Sequence, residues 1–291
     1  MNYSSGLVLI DKPVGMTSND AISIVKSRLP GAKVGHTGTL DKFAQGLLIV
    51  LAGKLTRLTP LFMKEEKEYR AIFHFGIQTD TLDPDGKVIA EADCPEASTI
   101  ENTLKKFEGE IMQKPPLYSA VHYKGKRAYK MVRMGNIPEL IERKITIFSI
   151  ENLGYDPPFL HLKIVCSKGT YIRSLARDLG LSCGSRAYVE KLERTRIGAF
   201  PVKDSVAPRD FNPEKDLRSS KCAFTALGIP VHLIKGEYYK KIARGIPLND
   251  LFFEYPPERD GLCALFDRKE RFAALIEKRG KKYRYHFVGA A

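Results

Sequence analysis

The stretch Val34–Gly46 places one carboxylate and one imidazole in a glycine-rich segment between two apolar runs. It contains three glycines and two threonines around Asp41 and His36. Glycine permits positive φ and close approach of a ligand, so this density indicates a tight, shaped loop. A carboxylate held in such a loop can act as a nucleophile. Alternatively, Asp41 caps a turn and His36 makes a local hydrogen bond, and the loop taken alone favours this interpretation because Asp is common in turns.

A second region, residues 114–144, combines cations with aromatic rings. It carries eight Lys/Arg, two acids and the interleaved tyrosines Tyr118, Tyr123 and Tyr129. The cations are Lys114, Lys124, Lys126, Arg127, Lys130, Arg133, Arg143 and Lys144. Cations contact phosphates and phenolic rings stack on exposed bases, which is what looped or single-stranded RNA requires. A solvated basic face is an equal interpretation for any single lysine, but the cluster favours nucleic acid.

The composition of the whole chain points the same way. The 291 residues carry a formal net charge of +13, with 47 Lys+Arg against 34 Asp+Glu. Such an excess favours a polyanionic partner, with nucleic acid first and an anionic membrane surface second. No run of about 18 apolar residues is present, and the N-terminus lacks a signal-peptide pattern, so we expect a cytoplasmic protein. The five cysteines are widely spaced, which argues against a disulfide framework.

The sequence lacks the motifs of several common classes of enzyme. The dinucleotide-binding and P-loop glycine patterns are missing, and so is the signature of the zinc deaminases. The six histidines are scattered without ligand spacing, so the sequence predicts no metal. The remaining candidates for chemistry are the carboxylate of Asp41, the tyrosines and Arg173.

Apolar runs and turn signals indicate the elements that position these residues. Predicted strands cover 6–10, 47–51, 68–75, 144–153 and 159–167. Ser18 is predicted to cap the helix after the first strand, and Ser98 with Glu101 forms a predicted capping box. Arg173 falls in the first turn of a helix entered through Gly169. The helix dipole disfavours a cation there, so we expect Arg173 to serve a partner.

Five separate stretches occur in the order and approximate spacing of one family. They are Asp11–Ser18, Gly35–Asp41, Lys67–Arg70, Gly169–Arg173 and the charged segment around Leu192. In them the chain resembles the TruB-type tRNA pseudouridine synthases of bacteria. The resemblance covers about residues 3–200, and five ordered blocks are far more specific than any one of them. Taken alone, Leu192 would be a core residue.

The resemblance implies a fold. We expect an α+β pseudouridine synthase domain over residues 1–229, built on a mixed, mostly antiparallel central sheet. Its RNA-binding insertion would be the basic stretch at about 114–144. Residues 230–291, which already look like a separate compact unit with two β-like runs, resemble more loosely a small β-rich PUA-like RNA-binding domain.

The resemblance also implies a reaction. The substrate would be the T-loop uridine of tRNA at position 55, isomerised to pseudouridine by glycosidic bond cleavage, base rotation and C–C bond formation. No cofactor or metal takes part, the partner is the T-arm of tRNA, and we expect a monomer with no protein or membrane partner. Two other readings are a tRNA-binding or tRNA-folding protein without catalysis, and an RNA glycosylase that uses the same Asp41.

By family position, three residues would carry the catalysis. Asp41 would act as the carboxylate, by attacking C1′, attacking the base or removing a sugar proton. Arg173 would keep it ionised, because a neighbouring guanidinium favours the charged form. Tyr69 would stack on the uracil, and Leu192 and Tyr171 would line the pocket.

The remaining predicted site residues bind substrate. His36 would occupy the space that the flipped nucleotide vacates. The others are Lys12, Gly38, Asp80, Asp83, Lys126 and Arg127. One departure from the family pattern follows the catalytic carboxylate, where Lys42 stands in place of the usual proline and adds a charge and backbone freedom.

Overall fold

The computed structural model describes residues 5–119, 121–123 and 125–289, and the backbone alone for His122 and Lys126. The strands are β1 Gly6–Lys12, β2 Val34–His36, β3 Gln45–Ala52, β4 Lys67–Phe75, β5 Ile77–Thr79, β6 Val88–Glu91, β7 Gly109–Gln113, β8 His122–Tyr123, β9 Lys126–Arg127, β10 Arg143–Asp156, β11 Phe159–Cys166, β12 Ala187–Ile197, β13 Phe200–Pro201, β14 Arg218–Ser219, β15 Val231–Leu233, β16 Gly261–Phe266, β17 Phe272–Arg279 and β18 Lys282–Val288. The α-helices are α1 Ser18–Ser27, α2 Thr59–Phe62, α3 Ala97–Leu104, α4 Ala128–Arg133, α5 Ile172–Ser182, α6 Pro213–Asp216, α7 Ser220–Ala226 and α8 Tyr239–Ala243. Short 3₁₀ turns cover Gly53–Leu58, Lys105–Phe107, Val202–Asp204, Gly236–Tyr238 and Asp250–Phe252.

The architecture is a large mixed sheet with helices against it. The strand order is β14-β1-β3-β12-β4-β11-β10-β7, with β13 on β12 and β2 on β3. The pairing of β12 with β3 is parallel and the other pairings in this sheet are antiparallel. The predicted α+β fold with a mixed, mostly antiparallel sheet is therefore confirmed.

Alternation along the strands decides which side chains enter the core. In β4, Tyr69, Ala71 and Phe73 are buried, whereas Arg70 between them is exposed. The buried set packs against α3 and α5 in one cluster, as the two-residue period of a half-buried strand requires. A second cluster lies between α1 and the strands β1 and β3. The fold thus has a helix-covered inner face, and that face carries the site described below.

The C-terminal segment forms its own four-stranded sheet, in the order β15-β16-β17-β18. It contains two strands more than the sequence predicted. A shared hydrophobic cluster joins it to the main body, because Phe224 of α7 packs on Phe266 and Phe272 at ring-centroid distances of 6.0 and 4.8 Å. A domain division near residue 229 remains a prediction.

Two predicted helix starts are wrong. The N-cap of α1 is Thr17, whose hydroxyl accepts a hydrogen bond from Asp20 N while the Asp20 carboxylate accepts one from Thr17 N. Ser18 is unavailable as a cap because its hydroxyl donates to the carbonyl of Leu40. The predicted capping box at Ser98 and Glu101 does not form, since α3 begins at Ala97 and both residues lie inside the helix.

The basic stretch folds into the β8–β9 ribbon followed by α4. Val121, Ala128 and Leu140 form a small hydrophobic cluster with Tyr171 packed against it. The insertion therefore packs beside the N-terminus of α5. Lys124 of this stretch lies outside the described residues. Within the described ranges, no helix is long and apolar enough to span a bilayer.

We expect Phe224→Ala to destabilise the protein by about 3–5 kcal/mol, because it opens a cavity where α7 meets the C-terminal sheet. Denaturant unfolding monitored by circular dichroism measures the change. Tyr255→Ala is the control, since that side chain is 81% exposed and its loss should change stability by less than about 0.5 kcal/mol. Equal stability of the two variants would contradict the shared core.

Candidate active site

Asp41 lies on the loop between β2 and β3, and a buried lysine holds the end of that loop. Lys12, at the end of β1, is fully buried, and its ammonium donates to the carbonyls of Ala44 at 2.6 Å, Met16 at 2.8 Å and Pro13 at 2.9 Å. An ammonium has three protons, so these three acceptors satisfy it. Lys12 therefore supports the end of the loop through its backbone.

A buried arginine holds the loop from the other side. Arg194 of β12 donates from Nε to Leu47 O at 2.7 Å, from Nη1 to Thr39 O at 3.3 Å and from Nη2 to Gly38 O at 3.2 Å. The strands also approach closely here: a Cβ at Gly46 would lie 2.4 Å from the Arg194 carbonyl oxygen, and Gly46 has φ +105°. Glycine at this position lets β3 pack on β12.

Two further contacts complete the loop. The hydroxyl of Ser18 donates to Leu40 O at 3.0 Å and accepts from Leu40 N at 2.9 Å. Gly15 N donates to the carbonyl of Lys42 at 2.8 Å. Hydrogen bonds from Thr17 lower the pKa of the Asp20 carboxyl, and the charge of the exposed Lys42 side chain lowers it further. The backbone around Asp41 is therefore fixed by donors from β1, α1 and β12.

The side chain of Asp41 faces the guanidinium of Arg173. Nη2 donates to Oδ1 at 3.0 Å, and Nε lies 2.9 Å from Oδ2. The Nε contact is close but poorly aligned, so the Nη2 bond is the directional one. The Arg173 side chain is 6% exposed and that of Asp41 is 37% exposed. One edge of the carboxylate is thus held by the arginine while part of the group faces the cavity.

Arg173 is itself held by other groups. Its Nη1 donates to Thr81 O at 2.9 Å and to Asp83 Oδ2 at 3.2 Å, and its Nη2 also donates to Tyr118 O at 3.1 Å. Thr81 Oγ1 donates to Asp83 Oδ1. Burial raises the pKa of Asp83, opposed by the Thr81 hydrogen bond and by Arg173. These contacts fix the guanidinium plane that Asp41 meets.

A cavity of about 910 Å³ contains this pair. Its wall includes the predicted site residues His36, Gly38, Asp41, Tyr69, Arg127, Tyr171, Arg173 and Leu192. The structure therefore brings eight predicted residues to one cavity, and Asp83 contacts the lining residue Arg173. The predicted substrate-binding residue Lys12 does not line the cavity, because its ammonium is buried against Pro13, Met16 and Ala44. Asp80 is outside this set: its carboxylate accepts from Lys87 N in the β5–β6 hairpin. The side chain of Lys126 lies outside the described atoms.

The side chains with rings that line the floor of the cavity are neutral. Burial raises the pKa of Tyr69, which is almost fully enclosed, and raises the pKa of Tyr171. Burial also lowers the pKa of His36, assisted by the charge of Arg194. His36 Nδ1 accepts a hydrogen bond from Gly38 N at 3.1 Å. A neutral imidazole and two neutral phenols therefore surround the ionised pair.

Sequence reasoning missed two cations of this cavity, Arg194 and Lys67. Both belong to strands and lie at alternate positions next to predicted residues, Arg194 two after Leu192 and Lys67 two before Tyr69. The signal that points to them is the two-residue period, which puts them on the same face as those residues. Other cations at the rim include Arg143, Lys144 and Lys168. Among the described residues, no group of three His, Cys, Asp or Glu side chains is arranged to hold a metal ion.

A second cavity of about 940 Å³ lies on the opposite face of the sheet, where Arg70, Ile72, Lys191 and Glu193 point. It shares Lys42 and Leu192 with the first cavity but lacks the Asp41–Arg173 pair. Its cations and acids are mixed. The Asp41–Arg173 pair makes the first cavity the candidate active site.

The fold is that of known pseudouridine synthases. The crystal structure of a Cbf5-Nop10-Gar1 complex contains a chain that superimposes with a TM-score of 0.71 at 26% identity, covering 99% of this chain and 85% of that one. The sequence model of the family described as TruB family pseudouridylate synthase (N terminal domain) matches residues 26–172. The class is therefore an isomerase that converts uridine to pseudouridine.

Curated relatives match almost the whole chain. A tRNA pseudouridine synthase B from Borreliella burgdorferi (strain ZS7) is 40% identical over 288 residues, which is 98% of this chain and 99% of the relative. Another from Clostridium tetani (strain Massachusetts / E88) is 39% identical over 249 residues, covering 84% and 86%. The chain belongs to the TruB family of pseudouridylate synthases.

We expect the single-turnover rate constant to fall as pH rises through about 8. Burial lowers the pKa of both Lys12 and Lys67 to about 8. Below that pH both ammonium groups are charged. Above it each loses its charge, and Lys12 also loses one of its three donors to backbone carbonyls. Rapid-quench measurements with saturating enzyme between about pH 7 and about pH 9 test this.

The variant Lys67→Arg provides the control, because a guanidinium stays charged in this range. In this variant the rate constant should fall with pH only as far as deprotonation of Lys12 lowers it. A wild-type rate constant that is unchanged across this range would show that neither ammonium is needed.

Proposed function

We propose that this enzyme converts uridine 55 in the T-loop of tRNA to pseudouridine, with Asp41 as the catalytic carboxylate. The observation that carries the proposal is the buried Arg173 guanidinium, which holds Asp41 at the wall of the cavity of about 910 Å³. A carboxylate beside a fixed cation remains ionised, as a nucleophile or a base must. The names of the curated relatives support tRNA as the substrate.

The reaction begins with loss of the bond between C1′ of the ribose and N1 of the uracil. Three roles of the ionised carboxylate lead there: attack on C1′, attack on the base, and removal of a sugar proton. The sugar acquires oxocarbenium-like character as the bond breaks, and a carboxylate stabilises it as in glycosidases. The detached uracil then rotates and bonds to C1′ through C5, which takes the place of any bond from Asp41 to C1′. The C5 proton then leaves and N1 takes up a proton.

The walls suit a ring that must turn without escaping. Tyr69 offers a flat face, and Leu192 and Tyr171 offer apolar surface beside it. Such walls exclude water, which would otherwise hydrolyse the activated sugar. We assign Tyr69 to stacking on the uracil and Leu192 with Tyr171 to confinement.

A uridine inside a folded loop must be flipped out to reach Asp41, at a cost of a few kcal/mol in lost stacking. His36 sits at the cavity wall as a neutral imidazole and would fill the vacated space. The basic insertion at 114–144 would grip the T-arm. The C-terminal sheet of residues 230–291 would serve as a PUA-like RNA-binding domain attached to a catalytic domain of residues 1–229. We further propose a cytoplasmic monomer.

Asp41→Asn tests the catalytic carboxylate. We expect tritium release from C5-labelled uridine in a tRNA transcript to fall by about 1,000-fold or more, because the amide is neither a nucleophile nor a base. The exposed Asp93→Asn is a matched control with unchanged release. Normal release by the Asp41 variant would remove Asp41 from the chemistry.

The same assay separates the alternatives. A binding or folding protein releases no tritium, and a glycosylase frees uracil and leaves an abasic sugar. Either result with the wild-type protein would overturn the proposed function.

Charge reversal at Lys126 and Arg127 tests the insertion. We expect the double change to glutamate to weaken tRNA binding and to reduce the slope of log K against log salt by about 2, because two phosphate contacts are lost. Filter binding over a salt series measures both quantities. Lys105 and Lys106, a neighbouring pair of exposed lysines in a 3₁₀ turn, form the control. Equal salt slopes for the two double variants would contradict the assignment.

A further inference from the structure

The floor of the catalytic cavity contains two buried cations, Arg194 and Lys67, that form no ion pair with a carboxylate of the described residues. Arg194 is 2% exposed and Lys67 is 7% exposed, and both line the cavity. Arg194 donates to the three loop carbonyls described above, and Lys67 donates to Met63 O at 2.7 Å and Glu65 O at 2.5 Å. Among the described residues, neither cation forms an ion pair with a carboxylate within 4.0 Å, whereas Asp41 is paired with Arg173.

The sheet register places these cations beside the predicted base-stacking residues. Arg194 of β12 is the direct cross-strand partner of Tyr69 of β4, and Leu192 pairs with Ala71. Lys67 lies two residues before Tyr69, so it points to the same face. Side chains of directly paired residues have Cβ atoms about 5 Å apart. A ring that rests on Tyr69 and Leu192 therefore lies near Arg194 on the neighbouring strand and near Lys67 two residues along β4.

Buried charges of one sign are costly unless something of opposite sign meets them. Carbonyl oxygens accept three N–H bonds from Arg194 and two from Lys67, but they do not cancel the charge of either cation. The two cations also repel each other, and this repulsion is one reason why the pKa of Lys67 is lowered, after burial. The folded enzyme thus keeps an excess of positive charge under the place where the base is expected to sit.

The reaction supplies a matching negative charge on that base. When the C1′–N1 bond breaks, its electron pair goes to the uracil and spreads over N1, O2 and O4. If the carboxylate instead adds to the ring, the ring again gains the electron pair. The charge is given up when C5 bonds to C1′, the C5 proton departs and N1 takes a proton. In each of the three roles of Asp41, the base is therefore anionic for part of the reaction.

We propose that Arg194 and Lys67 stabilise the negative charge that develops on the uracil ring as the glycosidic bond breaks. The inference rests on the proposed function and adds the electrostatic partner of the leaving base, as Asp41 is the partner of the sugar. Fixed charges aimed at developing charge in an enclosed site stabilise a transition state without reorganisation. Arg194 also positions the loop, since its Nε, Nη1 and Nη2 each donate to a loop carbonyl.

Lys67 is the better residue to test. Described carbonyls accept two of its three protons, and it does not hold the Asp41 loop. Lys67→Met keeps the apolar stem and removes the charge, whereas Lys67→Arg keeps the charge. Melting temperature and the Kd for tRNA are measured for each variant, so that loss of folding or of binding is seen separately from loss of rate.

The decisive readout uses two substrates, tRNA with uridine and tRNA with 5-fluorouridine at the target position. Fluorine at C5 withdraws electrons, so the fluorinated ring carries negative charge more easily and depends less on the cations. Loss of the intact nucleoside is followed in nuclease digests under single-turnover conditions. We expect Lys67→Met to slow uridine about 10- to 100-fold and 5-fluorouridine by about fivefold less than that, with Lys67→Arg close to the wild type on both.

Arg196→Met is the matched control. Arg196 lies in β12, the strand of Arg194, but it pairs with Glu66 and does not line the cavity. It should leave the ratio of the two rates unchanged. Equal slowing of both substrates by Lys67→Met, or equal slowing by Lys67→Met and Lys67→Arg, would show a structural role and overturn the inference. A wild-type enzyme that leaves uridine intact would instead overturn the proposed function itself.

Discussion

The structure of the site depends on one constraint: the backbone carbonyls around Asp41 need donors that the loop itself does not supply. Buried carbonyls without partners cost free energy, and glycine-rich loops have few internal hydrogen bonds to offer. Arg194 and Lys12 meet this need from opposite ends of the loop, with Ser18 between them. Because these donors come from β12, β1 and α1, the loop takes its shape only when the sheet and the first helix have assembled.

The same arrangement sets the electrostatics. Three cations surround Asp41. Lys12 and Arg194 hold the loop through its backbone carbonyls, and Arg173 contacts the Asp41 carboxylate and also that of Asp83. Under the proposed function, the Asp41 carboxylate and the positive charge proposed to stabilise the base are in place before substrate arrives. Preorganised charges of this kind contribute to catalysis because they need not rearrange during the reaction.

Much of the fold was readable from the sequence because its signals are local. The apolar runs of β1 and β3, the alternation of β4 and the β10–β11 hairpin lie where periodicity placed them. The misassigned caps show the limit, since Ser18 is diverted by Leu40, a residue distant in sequence. For the site, motifs located Asp41, Tyr69 and Arg173, whereas the part played by Arg194 depends on a cross-strand register that spans more than a hundred residues. Because Arg194 lies among charged residues in the sequence, the sequence alone does not indicate that it is buried.

The most direct test of the account is a crystal structure of the Asp41→Asn variant bound to a T-arm RNA. We expect the target uridine to be flipped into the cavity with its ring on Tyr69. C1′ should lie about 3–3.5 Å from a side-chain oxygen at position 41, or the attacked ring atom or sugar hydrogen should take that place. Arg173 should remain on the far edge of that side chain. A uridine bound in the second cavity, or one that stays stacked in the T-loop with the first cavity closed to it, would contradict the account.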